Sequence, residues 1–216
     1  MLMSTTQIII YSLDLIGTSA FAFSGALRAL DRRPDFIGVL TLAGITAIGG
    51  GMIRDGILGR QAAVLSDPVY MYVILASVVA IYLFPGSFWK RANLFNYFDA
   101  FGYGAFAGVA ANIGVHLPGM NIFSIFILAV LTGCGGGVVR DVIINKPSLP
   151  LNDELYVIPV LFGATALYCV HYFQLCAPDC AELFGFLAAF FITTGMRLAA
   201  ISFNLRLPRV GGESAQ

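Results

Sequence analysis

Two arginine–aspartate pairs, Arg54-Asp55 and Arg140-Asp141, are the residues of this chain best placed to act chemically. Each follows three glycines at the same spacing: Gly49-Gly50-Gly51-Met52-Ile53-Arg54-Asp55 and Gly135-Gly136-Gly137-Val138-Val139-Arg140-Asp141. The phrases begin 86 residues apart (49 to 135), each inside a long apolar stretch. A guanidinium beside a carboxylate suits an ion gate, a binding point for a zwitterion, or a staple between helices. Glycine costs a helix interior about 1 kcal/mol, and charge at membrane depth is expensive. The same two penalties at the same spacing in both halves point to a function that needs broken helices and buried charge.

Composition defines the scaffold that must hold these pairs. Of 216 residues, 58% are hydrophobic and 11% charged, against about 25% charged in a typical globular chain. Apolar windows of about 20 residues, enough to cross a bilayer, recur along the length. The fold class is therefore an all-α integral membrane protein. Formal net charge is zero, so no basic surface suggests nucleic acid. Residues 1–13 hold no Lys or Arg, which argues against a secretory signal and for a direct run into the first span.

Turn formers and charges cut the chain into seven candidate helices, at about 7–29, 36–58, 68–86, 94–115, 122–144, 154–173 and 181–203. No linker is long enough to divide them, so residues 1–216 read as one transmembrane domain. Positive residues concentrate in the odd loops and the C-terminal tail: Arg28, Arg32, Arg33, Lys90, Arg91, Lys146, Arg206 and Arg209. The other side holds only Arg60. This asymmetry puts the N-terminus outside and the C-terminus in the cytoplasm.

The repetition extends past the glycines. Asp14-Leu15-Ile16-Gly17 with Phe21-Ala22 parallels Asp99-Ala100-Phe101-Gly102 with Phe106-Ala107, and Asp67-Pro68-Val69-Tyr70 parallels Asp153-Glu154-Leu155-Tyr156. Three helices per half, about 7–86 and 94–173, make the second copy enter from the opposite face, as an inverted repeat; the helix at 181–203 has no counterpart. Matching glycine-interrupted helices in such repeats point to a transport path, because freed backbone groups are tolerated only where they line a cavity or pack against protein. Close helix packing is the competing reading, and it is preferred for Gly104 and Gly108.

Adjacent residues on a helix point about 100° apart, so each Arg and Asp is expected to find a partner on another helix. Asp14 is the expected partner of Arg54, and Asp99 of Arg140. Ser19, Ser24, Thr46, Thr132 and Asn112 add neutral oxygens at depth, either bonded back to their own helix or lining a path. Arg197 is expected to snorkel to the inner face. Cys134 and Cys169 read as packing residues, while Cys176 and Cys180 flank a polar loop and allow a local disulfide. Gly133-Cys134-Gly135-Gly136-Gly137 follows no strand and precedes no Gly-Lys-Ser/Thr, so it is no nucleotide loop. His116 and His171 have no motif around them, no catalytic constellation appears, and no enzyme activity or cofactor is expected.

Seven spans arranged as three, three and one, with Gly-Gly-Gly-x-x-Arg-Asp in the second and fifth, resemble the prokaryotic TRIC (trimeric intracellular cation) channel family. Its members have also been catalogued as an uncharacterised membrane family and as glycine transporters. The resemblance covers residues 7–203. It implies a homotrimer in the inner (plasma) membrane, each subunit holding a pore for K⁺ and Na⁺, with no bound metal beyond those transient ions. The pore would kink at Gly49, Gly50, Gly51, Gly135, Gly136 and Gly137, with Arg54, Asp55, Arg140 and Asp141 as polar gates. The region from Asp99 to Asn112 lacks the Lys-Glu-Val motif that animal members use toward phosphoinositide lipid. The alternative is a secondary transporter of a small zwitterion such as glycine, with Arg for its carboxylate and Asp for its ammonium.

Overall fold

Helix starts are set by capping side chains. Ser4 accepts from the Gln7 amide while the Gln7 side chain bonds back to Ser4, a capping box that opens α1 (Thr5–Leu30). Asp35 accepts from Gly38 N at 2.8 Å to open α2 (Phe36–Ile57), and Asn121 accepts from Ser124 N at 3.0 Å to open α6 (Ile122–Ile143). These two caps are themselves 86 residues apart (35 to 121).

The computed structural model describes residues 4–84, 94–147, 155–175 and 177–205. Between α2 and α6 lie the single turn α3 (Ala63–Ser66), α4 (Val69–Leu83) and α5 (Leu94–His116); α7 (Ile158–Tyr172) and α8 (Pro178–Phe203) follow. The expected boundaries hold within a few residues, with two exceptions. α7 begins at Ile158 rather than 154, where Pro159 occupies the first turn, a position that needs no N–H donor. α8 begins at Pro178, three residues before the expected start, for the same reason. The turn α3 was not expected. Lys90, Arg91, Arg206, Arg209, Asp153 and Glu154 lie outside the described residues.

Among the described residues, four helices are long and apolar enough to cross a membrane: Thr5–Leu30, Phe36–Ile57, Ile122–Ile143 and Cys180–Phe203. Val69–Leu83 and Ile158–Tyr172 are shorter apolar helices. Large apolar side chains such as Leu83, Phe123, Ile127 and Phe191 are exposed, which suits a surface facing lipid rather than water.

α1 and α5 pack along one another, joined by stacked rings: Phe21 on Phe106 at 5.2 Å and Phe23 on Phe98 at 4.8 Å. α2 packs against α6 beside them, and α8 covers α5 and α7. At the α2–α6 crossing a side chain on Gly50 would collide with the Thr132 carbonyl oxygen, and one on Gly136 with the Thr46 carbonyl oxygen. Because 50 meets 132 while 46 meets 136, the helices run antiparallel. Gly49 and Gly135 close the joint: a Cβ on either would lie 3.3 Å from Gly136 Cα and 3.1 Å from Gly50 Cα respectively.

This corrects the expectation of broken helices. α2 and α6 both continue as α-helix through their glycine runs. Absence of Cβ here is used to bring two backbones together, which also hides the glycines' exposed peptide groups. Gly104 and Gly108 pack as expected, with Thr194 and Phe186 of α8 in the space a side chain would need.

Candidate functional site

Arg140 lies four residues beyond Gly136, one turn past the joint, where α6 faces the C-terminal part of α1 and the start of α5. It is fully buried. Its Nε donates to Asp141 Oδ1 at 2.8 Å and its Nη2 to Asp141 Oδ2 at 3.1 Å. Its Nη1 donates both to Asp99 Oδ1 and to Ser24 Oγ, each at 2.8 Å. Ser24 in turn donates to Asp99 Oδ1 at 3.2 Å, and Tyr156 donates to Asp99 Oδ2 at 2.8 Å. The Phe95 ring lies against two guanidiniums, 4.3 Å from Arg28 and 4.8 Å from Arg140. Arg28 also comes within 4.0 Å of Asp141. Two arginines and two aspartates thus balance formally inside a network drawn from α1, α5, α6 and the segment before α7. A buried charge such as Arg140 is tolerable only when partnered in this way; Arg28 Nε, at the edge of the network, is buried without a hydrogen-bond partner.

Arg54 occupies the equivalent place on α2 and makes the same two bonds to its neighbour: Nε to Asp55 Oδ1 at 2.8 Å and Nη2 to Oδ2 at 3.0 Å. Arg60 closes on Asp55 Oδ1 at 2.7 Å, and the Ala63 amide at the start of α3 donates to Oδ2 at 3.3 Å. Beyond that the likeness stops. Asp14 accepts from the Tyr70 hydroxyl, not from Arg54. Asp14 Oδ1 and Arg54 Nη1 are both buried without a hydrogen-bond partner. Both residues line a small cavity of about 20 Å³, room for about one water, together with Thr18, Gly51, Asp55 and Tyr70. Each arginine lies about six residues past the centre of the crossing on antiparallel helices, which separates the two clusters by ~18 Å along the axes. One cluster is closed around its arginine and the other is open around a pocket.

Set against the sequence, Asp99 and Arg140 meet as expected, whereas Asp14 and Arg54 do not form an ion pair. The expectation that each Arg and Asp finds a partner on another helix holds for Arg140, which reaches Asp99 and Ser24, and for Asp141, which meets Arg28. At both sites the long guanidinium also folds back across the 100° onto its own neighbour, and Arg54 stops there. Thr46 and Thr132 bond back to Leu42 O at 2.6 Å and Leu128 O at 2.7 Å, so their hydroxyls belong to their own helices. Ser19 faces Ser77 at 3.0 Å on α4, away from both clusters. Arg197 is not at the surface: it is buried, with its guanidinium 4.5 Å over the Tyr156 ring and Nη1 donating to Leu155 O at 3.4 Å. Asn112 donates to Glu182 at 3.3 Å. Cys180 is a free thiol, and Cys176 lies outside the described residues.

Four participants escaped sequence reasoning: Tyr70, Tyr156, Arg28 and Phe95. The two tyrosines were visible as an aligned pair in the repeat, each serving one aspartate. Arg28 read as a topology charge, and nothing in sequence marks Phe95. Among the described residues no group of three or more His, Cys, Asp or Glu is placed to hold a metal ion.

Known proteins share this arrangement. One family model, described as a glycine transporter, matches twice, over residues 11–85 and 96–172. The chain is 33% identical over 198 residues to the UPF0126 membrane protein YvgT of Bacillus subtilis, covering 91% of this chain and 94% of that one. It is 32% identical over 203 residues to the UPF0126 inner membrane protein YadS of Escherichia coli K12, covering 93% and 95%. Among solved structures it is similar to one described under the structural basis for conductance through TRIC cation channels, with TM-score 0.81, 30% identity and coverage of 95% and 98%. The TRIC trimeric intracellular cation channel orthologue from Rhodobacter sphaeroides is similar at TM-score 0.81 and 28% identity, covering 92% of this chain and 100% of that one. Its relatives are membrane proteins and its fold is that of prokaryotic TRIC channels. The chain is a multi-pass membrane protein that belongs to the UPF0126 family, the one whose model carries the glycine-transporter description.

Proposed function

We propose that this protein is a passive channel for monovalent cations, K⁺ and Na⁺, with a pore through each subunit of a homotrimer. The observation that carries this reading is the pair of charge-balanced clusters on opposite sides of the Gly50–Gly136 joint. An arginine in a cation path repels its cargo unless carboxylates neutralise it, and here each cluster carries two aspartates for two arginines. The TRIC neighbours described as cation channels support the same reading.

In this proposal the path runs beside the joint from the Asp14–Arg54 pocket to the Arg140 network. Arg140 plugs one end, and conduction requires its release from Asp99 and Ser24. Asp99, Asp141, Asp14 and Asp55 then offer carboxylate oxygens, and Ser24 a hydroxyl, to a partly hydrated ion. Gly49–Gly51 and Gly135–Gly137 hold α2 against α6 beside that path. Residues 1–216 form one transmembrane domain of two inverted three-helix repeats, about 7–86 and 94–173, with an extra helix at 181–203. The N-terminus lies outside, the C-terminus in the cytoplasm, and the outer surface contacts lipid. Purified protein in planar bilayers is expected to give unitary K⁺ currents. Saturable, counterflow-competent uptake of labelled glycine without unitary currents would sink the channel.

That second reading has one observation in its favour. Asp14 Oδ1 and Arg54 Nη1 are an unpartnered acceptor and an unpartnered donor on a single pocket, a set that fits an ammonium and a carboxylate. Glycine uptake that is lost in Asp14→Asn and in Arg54→Lys would favour it.

A further inference from the structure

A pair of histidines at the end of the bundle remote from the Arg140 network has no part in either reading. His116 ends α5 and His171 lies in the last turn of α7, and their rings sit 5.0 Å apart, centre to centre, at 67°. His116 is seventeen residues past Asp99 on α5, ~25 Å along the helix. Both His116 and His171 are exposed.

The hydrogen bond that His116 makes fixes its chemistry. Its Nδ1 lies 2.7 Å from the Asn112 carbonyl oxygen. A carbonyl only accepts, so Nδ1 carries the proton of the neutral ring and Nε2 carries the lone pair. An imidazole held by one nitrogen to a backbone carbonyl, with the other left basic, is the arrangement found behind metal-ligating histidines. The ring separation agrees. A metal bound at ~2.1 Å to one nitrogen of each of two imidazoles, ~3.2 Å from each ring centre, holds those centres ~5.2 Å apart at tetrahedral angles.

We propose that His116 and His171 form a two-imidazole site for a divalent transition metal such as Zn²⁺ or Ni²⁺, with water completing the shell. Neutral imidazole suits these ions, and two protein ligands leave the site open and exchangeable. A bound ion bridges α5 to α7 and so ties two helices together at the end of the bundle opposite the Arg140 network.

Titration of the purified full-length protein in detergent with Ni²⁺ at pH 7.5 tests the site. One ion per chain is expected to bind, weakened at least tenfold in His171→Ala, an exposed position where loss of the fold is not at issue, and equally in His116→Ala. Titrations that superimpose for the wild type and His171→Ala overturn the proposal, and binding that disappears in Cys180→Ser while surviving in both histidine variants does so too. A pair that merely packs edge to face gives no saturable Ni²⁺ binding at all, and that result also overturns it.

Discussion

Tyr156 donates its hydroxyl to Asp99 at 2.8 Å from a fully buried position, and so holds the carboxylate that holds Arg140. Removing that hydroxyl leaves Asp99 one bond short in a dry site, a loss of about 1–3 kcal/mol. Tyr156→Phe is therefore expected to loosen the grip on Arg140 and raise open probability in bilayer recordings. Tyr70→Phe, beside an Asp14 that holds no arginine, is expected to raise it less. Equal effects would detach the Arg140 network from gating.

Arg140 itself is expected to be costly to remove. Arg140→Ala strands Asp99 and Asp141 without their shared partner, a change of about 3–5 kcal/mol in buried ion pairs. A lower melting temperature in detergent checks this. In a double-mutant cycle, Arg140→Met with Asp99→Leu is expected to cost less than the two changes added, because neither partner is left charged and alone. Strict additivity would show that the two side chains do not support each other.

The joint between α2 and α6 makes a sharp prediction about glycine. Gly50→Ala and Gly136→Ala each drive a methyl into a backbone carbonyl that has nowhere to go, and overpacking of this kind costs about 1–3 kcal/mol or more. Gly44→Ala, on the same helix with open space around it, is expected to be neutral or to stabilise by up to about 1 kcal/mol. Thermal melts of the three variants suffice. If Gly44→Ala and Gly50→Ala melt together, close approach is not what the glycine phrase provides.

Outside the spans, Asp67 gives a pH signature. The Tyr11 hydroxyl at 2.5 Å and the Val69 amide at 2.9 Å hold its carboxylate below the ordinary range. A depressed folded value adds stability that is present above the unfolded pKa, near 3.9, and is lost as pH falls through the folded value. Tyr11→Phe is expected to lower the melting temperature at pH 7–8, where that contribution is fully present, and to converge with the wild type as pH falls below about 3, so that the acid limb flattens. An unchanged acid limb would remove Asp67 from that transition.

Much of this was legible in the chain because helices in lipid leave periodic traces. The glycine phrase marked the joint, and the aligned Asp14 and Asp99 marked the carboxylates. What could not be read was the conformational choice at each site. Whether Arg54 reaches Asp14 depends on where α3 and Arg60 draw Asp55, and no residue type encodes that. Arg197 misled for a related reason. Snorkelling assumes a route to water, and the packed Tyr156 ring gives the guanidinium a closer resting place.

The joint has a consequence for how the two halves of the chain fit together. Each glycine phrase supplies the smooth surface that the other's threonine carbonyl needs, and receives the same service in return. An interface in which one patch recognises a copy of itself is two-fold by construction. Each half of the chain thus carries both sides of the lock, a glycine face and a threonine carbonyl. The symmetry ends there: one arginine is clasped by Asp99 while its counterpart faces a pocket.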